Sequence, residues 1–240
     1  MRFASPLVQG VLLSRYKRFL ADIRLEDGRV ITAHCPNPGR MTSCLVPGGK
    51  VHVSPASNPA RKLKWTWEIA WVGSDGRVPV LVNTAHPNAV VEEAILAGIL
   101  PGLTGYRSLR REVRCGERSR IDIRLEDGDR PPAWVEVKNV TLLASPGVAA
   151  FPDARTTRGE RHLRTLAKQV TRGDRGVLVF HLGRGDATRI EPADAVDPSY
   201  GKALREVANE GVELMGLATR IDTLGVVGTH RVPIDLPVLD

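Results

Sequence analysis

The chain has 240 residues, 42% hydrophobic and 25% charged, with a formal charge of +7, which fits a globular protein of one large or two modest domains. No apolar run reaches the roughly 18 residues of a membrane span and the start lacks a signal-peptide stretch, so a cytoplasmic protein with no membrane partner is expected. Three cysteines without a C-x-x-C spacing argue against a disulfide framework and a zinc knuckle.

In chain order, the alternation from Phe19 to His34 around Glu26-Asp27-Gly28 reads as a hairpin. Short strands are expected at Lys50 to Ser54, Lys64 to Val72 and Val78 to Val82, separated by turn-forming residues. Several short strands in so short a stretch point to a small barrel of the oligonucleotide-binding type. A helix is expected from Pro87 to Leu100, and strands at Leu109 to Cys115, Arg120 to Glu126 and Ala133 to Leu142. A helix from about Thr156 to Val170 and a buried strand from Gly176 to Leu182 complete an α-β-β-β-α-β order. Pro198 to Asn209 then reads as a helix and Val212 to Ile221 as a strand. The expected architecture is α/β (α+β): an OB-like barrel over residues 1–82 and a second domain with a central mixed sheet over 83–240.

The charge is unevenly placed. Residues 1–80 carry 12 Lys+Arg against 5 Asp+Glu, so the whole surplus lies in the N-terminal third. A basic barrel suits a polyanion such as nucleic acid, although a high pI also serves solubility. Within it, Arg15, Lys17 and Arg18 flank Tyr16, and Arg61, Lys62 and Lys64 abut Trp65 and Trp67. Cations beside rings are what a single-strand platform needs, yet the two tryptophans share one strand face and at least one of them is expected in the core. His34 and Asn37 border a Pro/Gly turn, where they touch a phosphate or stabilise the turn.

The second domain carries the candidate chemistry. Alternation in Arg120 to Glu126 sets Asp122 opposite Ile121, Ile123 and Leu125, and in Trp134 to Lys138 it sets Glu136 and Lys138 opposite Val135 and Val137. If these strands are neighbours, Asp122, Glu136 and Lys138 converge. Two carboxylates with the Val137 carbonyl suit Mg²⁺ or Mn²⁺, and Lys138 is placed to position or deprotonate a water or to stabilise a phosphate under attack. Glu-x-Lys on a wet strand is also an ordinary pair. The heptapeptide Asp-Ile-Arg-Leu-Glu-Asp-Gly occurs at 22–28 and at 122–128, and only the second copy is followed by Glu-x-Lys. Arg158 and His162 share a face of the second helix, near Asp153, with phosphate contact, orientation of a ligand or helix capping as their open roles. The sequence has no H-E-x-x-H, G-x-S-x-G or G-x-x-x-x-G-K-[ST].

The Asp, Glu-x-Lys pattern in this order of elements resembles the PD-(D/E)xK nuclease superfamily, with Ile121 in the place of the Pro and Glu93, rather than Glu92, matching the acid on the preceding helix. More broadly, the motifs beginning at Arg15, His34, Arg61, Ser119, Val135 and Phe151 resemble the bacterial sugar fermentation stimulation protein A family over essentially the full chain. Arg155, Pro38 and Arg40 depart from that family's usual residues. The resemblance implies an OB-type barrel, a nuclease-like second domain and binding of single- or double-stranded DNA with little sequence preference. Two functions stay open. One is a metal-dependent nuclease using Asp122, Glu136, Lys138 and Glu93; the other is a non-catalytic DNA-binding regulator of sugar (maltose) metabolism. An RNA or nucleotide substrate also suits a basic barrel.

Overall fold

In a computed structural model that describes residues 1–115 and 119–237, the chain forms two β-rich units held together by a polar seam. The first comprises β1 (Val8–Tyr16), β2 (Leu20–Leu25), β3 (Val30–His34), β4 (Lys50–Pro55), β5 (Trp65–Val72) and β6 (Val78–Leu81). The strand order is β3-β2-β1-β4-β5-β6, and a parallel bridge from His34 to Thr66 joins β3 to β5 and closes a five-stranded OB-like barrel. The expected hairpin is β2–β3, and Gly28 at φ +85 supplies the left-handed turn residue that strand reversal requires. Inward-facing Leu12, Ile23, Val53 and Trp67 fill the barrel without exposed surface. The first strand, β1, carries no clean alternation and was not among the expected elements.

The second unit contains α1 (Pro87–Leu96), β7 (Ser108–Cys115), β8 (Ser119–Asp127), β9 (Arg130–Val140), α2 (Thr157–Thr171), β12 (Arg175–Leu182), α3 (Pro198–Asn209), β14 (Glu213–Ile221) and β15 (Val226–Val232). The sheet order is β15-β14-β12-β9-β8-β7. β9, β12 and β14 run parallel to one another, and the outer pairings are antiparallel. α1 covers one face through Val90, Val91, Ala94 and Ile95, while α2 and α3 cover the other through Leu163, Leu166, Tyr200 and Leu204. The nearly continuous apolar run of β12 is explained by this double cover. α1 stops earlier than expected because Gly98 turns left-handed at φ +77, and the long third strand divides at Thr141 into β9 and β10 (Leu142–Ser145). β10 joins β11 (Gly147–Phe151) and β13 (Ala187–Pro192) in a small second sheet whose β11–β13 pairing is parallel and distant in sequence. No helix among the described residues is long and apolar enough to cross a membrane.

The seam fixes the barrel to the second sheet. The buried Arg184 guanidinium donates to Ser43 and to the Thr141 carbonyl while paired with Asp186. Asn139 donates to the Leu81 carbonyl at 3.1 Å, and Asp153 accepts the Met41 N–H at 3.1 Å. A β-carbon on Gly39 would lie 2.0 Å from Asp153 Oδ2, so only glycine lets the barrel loop lie this close to that carboxylate.

Candidate functional site

The site forms where two strands part. β8 and β9 are paired from Asp127 and Arg130 up to Ile123 and Val135; beyond that point β8 pairs only with β7, and β9 continues along β12. At the fork the Asp122 carboxylate takes the place of the missing backbone acceptor, receiving the Val137 N–H at 2.8 Å on Oδ2. Its other oxygen accepts from the Asn88 side chain of α1 at 2.9 Å. Glu136, one residue along β9, projects toward α2, where its Oε1 meets both Lys138 Nζ and His162 Nδ1. The side chain of Glu136 is 3% exposed, and its Oε2 is buried with no partner.

The two carboxylates differ in electrostatics. Burial, then the nearby charge of Glu136, pushes the Asp122 carboxyl up to about 6, against the pull of the Val137 N–H and Lys138. Burial acts in the same direction on Glu136, but Lys138 and His162 outweigh it and hold that carboxyl below its usual value. Glu136 thus has Lys138 and His162 as partners, whereas Asp122 has no ion pair among the described residues. The cavity above it, about 460 Å³, is lined by Asp122, Glu136, Lys138, His162, Arg158 and Glu112 among others. Through Asn88, Lys138 and Thr156 it runs into a second cleft of about 380 Å³ between the units, with Arg18 on the barrel side and Arg155 opposite.

Among the described residues, no three His, Cys, Asp or Glu side chains stand together as a ready-made set of metal ligands. Two carboxylates and an orphaned buried oxygen nevertheless fit a hard divalent ion, because Mg²⁺ keeps several waters and takes one or two protein carboxylates.

The structure gathers Asp122, Glu136, Val137, Lys138, Arg158 and His162 at one cavity. Arg158 and His162 do share a helical face, with Arg158 Nε 3.4 Å from His162 Nε2, and the capping role falls to Thr156, which accepts the Gly159 N–H. Glu93 is not brought there. It is paired with the α-amino group of Met1, and its side chain is 58% exposed. Asn88 faces the site, Glu92 lies four residues on along the same side, and Glu93 is turned away by about 140° at 100° per residue. Glu92 in turn is bound to Arg111.

The barrel residues divide by geometry. Lys17 and Arg18 sit at the β1–β2 turn with φ of +47 and +65, conformations uncommon outside glycine, and both are exposed. Arg15 instead secures the loop after β3, donating to the carbonyls of Asn37 and Gly39, each at 2.9 Å. Tyr16 is partly exposed and donates to Asp22. Asn37 is buried, accepting the Gly39 N–H and donating to the Val82 carbonyl, which is the turn-stabilising role. Trp67 is core, and Trp65 packs against it. Arg61 and His34 line a separate hollow that meets the acidic cavity at Ala85, and Lys62 and Lys64 remain exposed beside it. Asn88 was not anticipated, because an asparagine in the first turn of a helix carries no signal of a long-range contact.

Two family models match the chain. One, described as the SfsA N-terminal OB domain, covers residues 13–82, and the other, the sugar fermentation stimulation protein RE domain, covers 85–225. The chain belongs to the sugar fermentation stimulation protein family. Curated relatives named sugar fermentation stimulation protein homolog include one from Acidithiobacillus ferrooxidans, 50% identical over 90% of this chain and 92% of its own. Another, from Geobacter metallireducens, is 48% identical over 98% of this chain and all of its own length. Among solved structures, the SfsA of Pyrococcus furiosus in complex with Ca²⁺ superposes with a TM-score of 0.87 at 25% identity, covering 98% of both chains. The family architecture is thus a barrel of OB type followed by a mixed-sheet domain, with the fork inside the second.

Proposed function

We propose that this protein is a DNA-binding, divalent-metal-dependent nuclease of PD-(D/E)xK type that hydrolyses phosphodiester bonds at the β8–β9 fork. The observation that carries the reading is the buried, unpartnered Oε2 of Glu136 beside Asp122, in a cavity that opens onto a cleft rimmed by arginines. Asp122, Glu136 and the Val137 carbonyl would hold Mg²⁺ or Mn²⁺, and the Ca²⁺ bound by the archaeal relative supports a hard divalent ion in this family. Such an ion supplies Lewis-acid polarisation of the phosphate and offsets the charge that develops on it.

The chain's own residues do the rest. Asn88 and the Val137 N–H keep both Asp122 oxygens oriented, and His162 fixes Glu136 from α2. Lys138, paired with Glu136, donates to an attacking water or to the phosphoryl oxygen. Arg158 at the cavity and Arg18 and Arg155 along the adjoining cleft meet backbone phosphates, which carry no sequence information; low sequence preference follows.

The test is incubation of the purified protein with single- and double-stranded DNA and RNA in Mg²⁺, Mn²⁺ or EDTA, beside Lys138→Ala and Asp122→Asn. Metal-dependent cleavage lost in both variants is the expected result. Binding without cleavage would favour the non-catalytic DNA-binding regulator, and cleavage surviving both substitutions would exclude this site.

A further inference from the structure

Helix α1 offers an amide where an acid was expected, yet the cavity has a third carboxylate from another element. Glu112 lies within β7 and lines the same cavity as Asp122 and Glu136. The register of β7 on β8 is the same on either side of it, with Arg111 opposite Ile123 and Val113 opposite Ile121. Glu112 is therefore level with Asp122, and residues opposed across an antiparallel pair project to one face. The ladder step between them is absent, because Glu112 adopts φ +51, a left-handed conformation costly for a non-glycine residue.

No side-chain hydrogen bond or ion pair among the described residues holds Glu112 in that conformation. Glu112 is exposed and has neither ion pair nor hydrogen bond among the described residues, while its neighbours Arg110 and Arg111 are taken by Glu126 and Glu92. Strained backbone of this kind concentrates at functional sites. The independent sign of a ligand is the Oε2 of Glu136, buried and unpartnered on the floor of the cavity that Glu112 overlooks.

We infer that Glu112 is a third acidic group of the ion site, acting from the mouth of the cavity while Asp122 and Glu136 act from its floor. The inference rests on the metal reading of the fork. Glu112 does not join the other two in a ready-made set of ligands, so it accepts hydrogen bonds from water in the ion's hydration shell and adds its charge to the site. Exposed on the edge strand β7 and outside the arginine-rimmed cleft, it is a positioning residue for the ion rather than a group that touches the phosphate.

The test is titration of the full-length protein with MnCl₂ in the absence of nucleic acid, followed by electron paramagnetic resonance of free Mn²⁺, with thermal melts in EDTA alongside. Asp122→Asn should abolish saturable binding. Glu112→Gln should weaken it about 10-fold, the usual scale for a group acting on a metal through its outer shell. Glu112→Gly should weaken binding to the same extent yet raise Tm by about 2–4 °C, since glycine takes the left-handed conformation freely. Unchanged affinity in both Glu112 variants, with binding lost in Asp122→Asn, would overturn this inference and leave the metal site standing. Affinity lost in Glu112→Gln but restored in Glu112→Gly would also overturn it, by assigning the effect to the backbone. Wild-type protein that binds no Mn²⁺ would remove the metal reading as well.

Discussion

Replacing Asp122 with asparagine should make the metal-free protein more stable at neutral pH. The carboxyl is raised from an ordinary 3.8 to about 6, first by burial and then by Glu136. A raised carboxyl binds its proton more tightly folded than unfolded. The resulting stabilisation is therefore complete below pH 3.8 and lost as pH rises through about 6. Two pKa units at 1.36 kcal/mol each give about 3 kcal/mol of destabilisation from the ionised Asp122 at pH 8. An asparagine keeps the shape and, with Asn88 flipped, both hydrogen bonds: its oxygen accepts the Val137 N–H and its amide donates to the Asn88 oxygen. In urea titrations with EDTA, Asp122→Asn should exceed wild type by about 3 kcal/mol at pH 8 and match it at pH 3.5, with a Tm gain on the order of 6–12 °C at the higher pH. A variant less stable than wild type at pH 8, or a difference independent of pH, would refute the account of Asp122 as a strained buried charge awaiting a cation.

Lys138→Met should abolish cleavage and cost about 1–3 kcal/mol at pH 7, because Glu136 stays buried with only His162 as partner. Glu136 is held below its ordinary 4.5, so its stabilising contribution is present above that value and lost on acidification; the gap between wild type and Lys138→Met, read by urea denaturation, should therefore close as pH falls below 4.5. Changing Arg61, Lys62 and Lys64 together to alanine should weaken DNA binding alike for every sequence and reduce the slope of log affinity against log salt by about 2–3, at 0.7–0.9 per phosphate contact. An unchanged slope in fluorescence anisotropy would take that face of the barrel off the DNA. Gly39→Ala should cost about 1–3 kcal/mol by urea denaturation, because its β-carbon would collide with Asp153 and part the barrel loop from the second unit. Adding Asp153→Ala should recover part of that loss.

Much of this architecture is legible in local pattern. Period-two alternation locates β2, β3, β8 and β9, turn-forming residues set off β4 to β6, and the apolar run of β12 and the helical patterns of α2 and α3 are equally plain. β1 escapes because its sequence lacks a clean alternation, and the other elements that escape are those whose reason is distant. β11 and β13 meet only through a parallel pairing, and β15 exists because β14 offers it an edge. In the site, Asp122, Glu136, Lys138 and His162 follow from alternation and helical spacing. Asn88 and Glu112 do not: the first depends on how α1 lies on the sheet, the second on a backbone conformation that its neighbours in sequence do not encode.

The repeated heptapeptide draws the line most clearly. In both copies the sequence Asp-Ile-Arg-Leu-Glu-Asp-Gly makes a strand that puts the aspartate opposite the buried isoleucine and leucine, as pleating requires. On the barrel, Asp22 meets the hydroxyls of Thr32 and Tyr16 at the surface. In the second sheet, Asp122 is enclosed where β8 and β9 separate, with a backbone N–H, an amide from α1 and a second carboxylate around it. Sequence set the direction in which each side chain points, because that depends only on the local backbone. The environment it meets, and hence its charge and chemistry, was set by tertiary structure, because the groups around Asp122 come from α1 and β9, up to 34 positions away in the chain.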